Sequence, residues 1–210
     1  MKLFTNRVTM RGTPVELMGF HSDMQQFVSE TIGREVAVWQ ASLGAPTGTV
    51  MYTLPVAGLA ELGEFTATLG ANPEYSAKVA PWLDRQVAPA ETSLATMLVG
   101  ELGEERPPVG ACAVVTSVLI ANGAYEGAIG WGAEMAEYAS GVGGVPIMFT
   151  MDGFGAFGRV NWVSVAPDAA TADAALDALT ADAGYVERLG QTTDLFIPGS
   201  GERILGTRFA

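Results

Sequence analysis

The chain carries one histidine, His21, and any acid–base chemistry near neutral pH begins there. Imidazole is the one side chain whose ordinary pKa lies close to neutrality. His21 belongs to the series Leu17, Phe20, His21, Met24, Phe27 and Val28, which repeats with the spacing of one helix face. Its ring therefore points at whatever that helix packs on. Two readings are open: a hydrogen-bonded core histidine, or an acid/base facing a pocket. Four further residues could serve such a pocket. Asn6 is a polar residue inside an apolar strand pattern, Trp39 and Tyr52 stud a hairpin, and Tyr75 lies in the helical motif Asn72-Pro73-Glu74-Tyr75. Leaving a buried amide or phenol unpaired costs ~1–3 kcal/mol, so these groups either find partners in a core or face a cavity.

Other chemistries find less support. Gly153-Phe154-Gly155-Ala156-Phe157-Gly158 matches G-x-G-x-x-G, but a dinucleotide site needs that motif between a strand and a helix. Here it falls between two strands. Asp168, Asp173, Asp177 and Asp182 lie in and around an Ala-rich helix, where a solvated face is expected. One cysteine, Cys112, allows no internal disulfide and none of the usual Cys-containing zinc sites. No G-x-S-x-G elbow accompanies the histidine. No metal or cofactor is expected. A net charge of −12 and only 11 basic residues, scattered singly, argue against nucleic-acid binding. The longest uncharged run, Pro107 to Tyr125, is broken by glycine and proline, so no membrane span is expected. The start, Met1-Lys2-Leu3-Phe4-Thr5, lacks the apolar core of a secretion signal, and a cytoplasmic location is the expectation.

The elements that must position these residues follow from periodicity. Residues 3–10 suit a strand. Thr13, Pro14 and Glu16 announce a helix that Gly33 ends. Residues 35–41 and 49–56 form a hairpin about Gly44-Ala45-Pro46-Thr47-Gly48. Helices are expected over 59–69 and from Asn72 to about Val87, then a strand over 92–99. That order is β-α-β-β-α-β, the ferredoxin-like unit. A second set follows: strands at 113–120, 145–151, 159–165 and 204–209, with helices at 125–140 and 169–189.

The two sets are related by a fixed offset. Asn72 to Val79 maps onto Asp182 to Leu189, and Gly48 to Tyr52 onto Gly158 to Trp162, each 110 residues later. At that offset His21 faces Trp131, Asn6 faces Thr116 and Tyr52 faces Trp162. Such divergence predicts one half that keeps a pocket and one that fills it. The expected organisation is a unit over 1–100, a linker over 101–110 and a unit over 111–210. In the 49–56 strand both side-chain alternation sets are largely apolar, so each sheet must be covered on both faces. The expected fold is α+β: two tandem ferredoxin-like units whose antiparallel sheets pack into one α/β barrel.

This order of elements, with the motif Asn72-Pro73-Glu74-Tyr75, resembles the dimeric α/β-barrel superfamily in a fused, two-copy form. The second copy keeps only Asp182 and Tyr185 of the motif, which puts any motif-dependent role in the first. The superfamily includes antibiotic-biosynthesis monooxygenases, stress-responsive barrel proteins, NIPSNAP-like and EthD-like proteins, and haem enzymes such as chlorite dismutase. Resemblance to the monooxygenases implies metal-free oxidation, or related acid/base chemistry, of an aromatic or polyketide-like molecule between a sheet and its helices. His21 would be the catalytic acid/base, with Asn6, Trp39, Tyr52 and Tyr75 binding substrate. The alternative is a non-catalytic ligand- or protein-binding barrel of the stress-responsive type, and the third is a haem-binding enzyme. The expected partner is a small aromatic molecule, and an apolar outer patch would let two fused barrels pair as a homodimer.

Overall fold

A computed structural model describes residues 1–102 and 106–210. The middle of the expected linker, 103–105, lies outside the described residues. The chain runs β1 (Lys2–Thr9), α1 (Pro14–Ile32), β2 (Ala37–Leu43), β3 (Thr49–Val56), α2 (Leu59–Ala71), α3 (Pro73–Leu83) and β4 (Glu91–Val99). It continues with β5 (Cys112–Leu119), α4 (Tyr125–Gly143), β6 (Ile147–Phe154), β7 (Arg159–Ala166), α5 (Ala169–Ala181), α6 (Ala183–Gly190) and β8 (Glu202–Arg208).

Local chemistry sets the helix ends. The Thr13 hydroxyl accepts from the Glu16 backbone N–H, and the Glu16 carboxylate accepts from the Thr13 N–H, closing a capping box with Pro14 in the first turn. Gly33 ends α1 in the left-handed region at φ 67°, where a Cβ is disfavoured. Asn72 caps α3 through the Glu74 N–H, and Asp182 caps α6 through the Tyr185 N–H. Two expected boundaries differ. The helix after Pro73 stops at Leu83, not Val87, because the chain turns back to the sheet: the Val87 N–H donates to the Thr9 carbonyl, and Gln86 bridges Met10. The expected helix over 169–189 is two, since Asp182 takes an extended conformation between them and caps the second.

All eight strands close one antiparallel barrel in the order β1-β3-β2-β8-β5-β7-β6-β4. Each half supplies four consecutive strands, β4-β1-β3-β2 and β8-β5-β7-β6. The halves join edge to edge, β2 on β8 and β4 on β6. Closure leaves no strand edge open, which removes the usual route to edge-on association. Alternate side chains point to the helices outside or to the lumen inside. The outer clusters hold Val8, Leu17, Val38 and Val50 in the first half, and Ile120, Ala128, Phe149 and Val160 in the second. The lumen cluster holds Ala37, Trp39, Met51, Ala113 and Ile204. No helix among the described residues is long and apolar enough to cross a membrane.

The two halves are not related by one unbroken offset. Strands β1 and β5, and β3 and β7, lie 110 residues apart. Helix α4 starts and ends 111 residues after α1, and the helix-ending glycines are Gly33 and Gly144, at φ 67° and 68°. Four residues (10–13) precede α1 but five (120–124) precede α4, and the β6–β7 turn is one residue shorter than the β2–β3 turn. The gap-free alignment thus fails between these two points. The residue of α4 at the level of His21 is Gly132, not Trp131. Trp131 stands at the level of Phe20.

Candidate active site

Helix α1 buries Leu17, His21 and Met24, one turn apart along a single stripe, against the outer face of the first half-sheet. His21 is fully buried. Its Nδ1 lies 2.5 Å from the hydroxyl of Tyr52, which projects from β3 towards the helices. Asn6 sits on β1 directly opposite Tyr52 in the strand register, so its side chain emerges on the same face. Tyr75, on the first turn of α3, closes over the same space. Together these residues line a cavity of about 500 Å3 between the half-sheet and α1, α2 and α3. Apart from Thr66 and Gln86 its walls are otherwise apolar or aromatic, with Phe20 and Trp82 stacked at 4.2 Å between ring centroids.

The electrostatics follow from burial. Desolvation pushes the His21 pKa down to about 4, so the imidazole is neutral at pH 7. Burial, and secondarily the neighbouring Tyr75, push the Tyr52 phenol above its ordinary value, so it keeps its proton. Two neutral groups sharing one hydrogen bond leave a choice of tautomer. If Tyr52 donates to Nδ1, Nε2 carries the imidazole proton. If Nδ1–H donates to the phenol oxygen, the phenol proton is free for a ligand. Neither His21 Nε2 nor Asn6 Oδ1 has a hydrogen-bond partner among the described residues. Native interiors rarely leave such atoms unpaired, and both belong to residues that line this cavity.

The structure brings Asn6, His21, Tyr52 and Tyr75 together and leaves Trp39 out. Trp39 pairs with Met51 across β2 and β3, on the lumen side of the sheet, and its indole N–H donates to Thr53 at 3.0 Å. It is one residue out of phase with Val38, which pairs with Tyr52. Sequence reasoning passed over Trp82 and Gln86. Trp82 follows Tyr75 by seven residues, two helical turns, a spacing that places both on one face. Gln86 reaches the cavity only because the chain leaves the helix after Leu83.

The second half shows what fills this space. Trp162 stands where Tyr52 does, and its indole N–H donates to the Gly132 carbonyl at 2.9 Å. Phe149 occupies the level of Val38 and stacks on Trp162 at 5.0 Å. Trp131 and Phe196 complete an edge-to-face cluster with Trp162, at 5.8 and 5.9 Å. Gly132 is required: a Cβ there would come within 2.3 Å of the Phe149 ring. The helix–sheet layer of this half carries a void of about 20 Å3, away from that cluster. The His21–Tyr52 pair and the Gly132–Trp162 pair are therefore two fillings of one position.

The G-x-G-x-x-G sequence spans the end of β6 and the β6–β7 turn, where Gly155 and Gly158 take φ 120° and 77°. Asp168 and Asp182 are helix caps: the Thr171 N–H holds the Asp168 carboxyl below the ordinary range, and the Tyr138 hydroxyl, then the Tyr185 N–H, do so for Asp182. Cys112 is buried.

No family model and no curated sequence matches the chain. Solved structures match it along its whole length. A provisionally named monooxygenase from Fusobacterium nucleatum superposes with a TM-score of 0.71 at 13% identity, over 100% of this chain and 92% of that one. An anthrone oxidase-like protein gives 0.70 at 12%, over 100% and 91%. Chlorite dismutase from Candidatus Nitrospira defluvii gives 0.54 at 10%, over 100% and 91%. At such identities the likeness is one of fold, and this chain has the ferredoxin-like α/β-barrel fold seen in monooxygenase-like proteins.

Proposed function

We propose that the first half binds a compact aromatic or polyketide-like molecule between its sheet and helices, and turns it over by monooxygenase-type chemistry with no cofactor. One observation carries this reading: a hydrogen-bonded His21–Tyr52 pair, with two unpartnered polar atoms beside it, lines a cavity of about 500 Å3 whose counterpart is packed with aromatics. That volume lies in the range of small-molecule sites, and aromatic walls with a few converging polar groups suit a planar phenol. In this reading Phe20 and Trp82 hold the ring system. Asn6 and Tyr52 orient its oxygens. His21, whose Nδ1 is hydrogen-bonded to Tyr52, takes a proton from the substrate through the Tyr52 phenol, leaving an electron-rich anion that dioxygen can oxidise. A buried imidazole with a pKa near 4 is a weak base in the free protein. It therefore suits substrates whose own acidity rises on binding, as when Tyr52 donates to a developing enolate or phenolate.

The low basicity of His21 also favours a second reading, a ligand-binding barrel without turnover. A haem reading fits least, because an axial ligand must present a free nitrogen to open space and His21 Nε2 has no exposed surface. The test is oxygen uptake and binding with a panel of anthrones and polyhydroxylated aromatics. Turnover that His21→Ala lowers at least tenfold, with Tyr52→Phe also impaired, supports the enzyme. Binding at the same affinity in parent and variants, with no oxygen uptake, supports the binding protein. Parent-like turnover by His21→Ala refutes the role given to His21.

A further inference from the structure

The barrel lumen is a second space of about 550 Å3, separated from the His21 cavity by the first half-sheet. Native interiors leave few voids larger than a water molecule, so an open lumen of this size is unlike a packed core. Trp39, Met51, Val163 and Ile204 give it apolar walls, and charged side chains gathered about Asp152 form an acidic mouth.

At the mouth Asp152 is nine-tenths buried. One of its oxygens accepts from the Asn161 amide at 3.0 Å. The same amide group donates to Thr150, and Ser117 donates to the Asn161 carbonyl oxygen at 2.7 Å, so the Asn161 orientation is fixed from three sides. The second carboxylate oxygen of Asp152 takes no hydrogen bond among the described residues and belongs to a side chain that lines the lumen. Arg7, which also lines the lumen, is engaged elsewhere. Arg7 reaches across the bore to grip Glu202 with both guanidinium nitrogens, at 3.1 and 3.2 Å, with Glu91 a further 3.9 Å away. Arg159 acts on Asp152 through space and forms no hydrogen bond to it. With Glu91, Asp152 and Glu202 set against Arg7 and Arg159, the mouth is one charge short of neutral on the acidic side. Burial pushes the Asp152 carboxyl above its ordinary range, more than Asn161 and Arg159 pull it down.

We propose that the lumen is a ligand site of its own, which takes a small hydrophobic amine tail first and sets the ammonium against Asp152. The apolar walls match an alkyl or aryl tail. The ammonium supplies one positive charge to balance the acidic excess and a hydrogen-bond donor for the second Asp152 oxygen. A carboxylate head would meet three acids and two arginines, of which Arg7 is already engaged with Glu202. Arg106, at the far end, donates to the Glu35 carbonyl. This site stands independently of the function proposed for His21.

The test is titration of the folded protein with n-octylamine, octanol and octanoate, followed by calorimetry. Octylamine is expected to bind saturably at one equivalent, and octanol and octanoate at least tenfold more weakly. Asp152→Asn is expected to weaken octylamine at least tenfold while leaving octanol unchanged. Val163→Phe, which narrows the lumen without touching the mouth, is expected to block the amine too, and serves if the Asp152 variant fails to fold. His21→Phe is expected to leave octylamine binding unchanged. No saturable binding to the parent, octanoate binding as tightly as the amine, or amine binding unaffected by Val163→Phe would each overturn the proposal. So would loss of amine binding in His21→Phe, which would move the ligand to the other cavity.

Discussion

At the scale of single residues, His21 and Asp152 are two buried titratable groups with opposite consequences for stability. His21 has a folded pKa near 4 against 6.5 when exposed. Between those values the unfolded chain binds a proton that the folded chain refuses. Its contribution is therefore intact above pH 6.5 and is lost as the pH falls towards 4, amounting to roughly 3 kcal/mol. Asp152 works the other way. Its folded pKa is raised, so stability is full below the ordinary carboxylate value of 3.8 and falls as the pH rises through the shifted one. Denaturant melts across this range should show stability declining with acid. His21→Leu should flatten the decline, and Asp152→Asn should steepen it. The capping carboxylates Asp168 and Asp182, both lowered, act below this window and should not mask it. A slope unchanged by His21→Leu would show that the imidazole is not held neutral by burial. His21 was legible as a candidate because it is unique and falls on an apolar helix face. The Asn161–Asp152 network was not, because its members are far apart in sequence and meet only through strand register.

At the scale of elements, the contrast between α1 on its half-sheet and α4 on the other rests on which residues are small. Gly132 lets Phe149 and Trp162 fill the layer, whereas His21 with Val38 and Tyr52 leaves it open. Gly132→Ala should destabilise the protein by about 1–3 kcal/mol, since its Cβ would collide with a ring that has no room to retreat. The reverse exchange is more informative. Val38→Phe should disrupt packing against His21, and His21→Gly should relieve it. A double-mutant cycle by denaturant unfolding should then show favourable coupling of about 0.5–3 kcal/mol. The double variant should also lose ligand binding in the first half. Additive effects would mean that the two positions do not share one space. The elements themselves were readable from caps and periodicity: Thr13, Gly33 and Asn72 act as their types suggest. The one-residue slip in α4 was not readable, because Gly143 and Gly144 are adjacent and only their backbone angles tell which one ends the helix. Trp39 was assigned to the wrong face for a similar reason. Both faces of β2 are buried, so alternation marks two sides without saying which is which.

At the scale of the molecule, closure joins the halves into one cooperative object. Strands β2 and β4 lend both edges of the first half to β8 and β6. Residues 1–100 alone would present those edges bare. That fragment should be unfolded or self-associated in light scattering, while the whole chain should unfold in a single transition by fluorescence and circular dichroism alike. A monomeric, cooperatively folded fragment would contradict this. The paired-sheet architecture was legible because both faces of the strands are apolar. That the interior would be a lumen, with a charged pair spanning it, follows only from closure.

The central claim is that the ligand site of the first half is built around His21, and the chain allows an unusually clean test because that histidine is its only one. Nitrogen-15 spectra of the imidazole, recorded during titration with a polyhydroxylated aromatic ligand at neutral pH, report its tautomer, protonation and hydrogen bonding at once. A neutral ring in the free protein, with both nitrogen signals moving saturably as ligand binds and with no such binding in His21→Gly/Val38→Phe, is the expected result. Ligand that binds while both nitrogen signals stay fixed would contradict it.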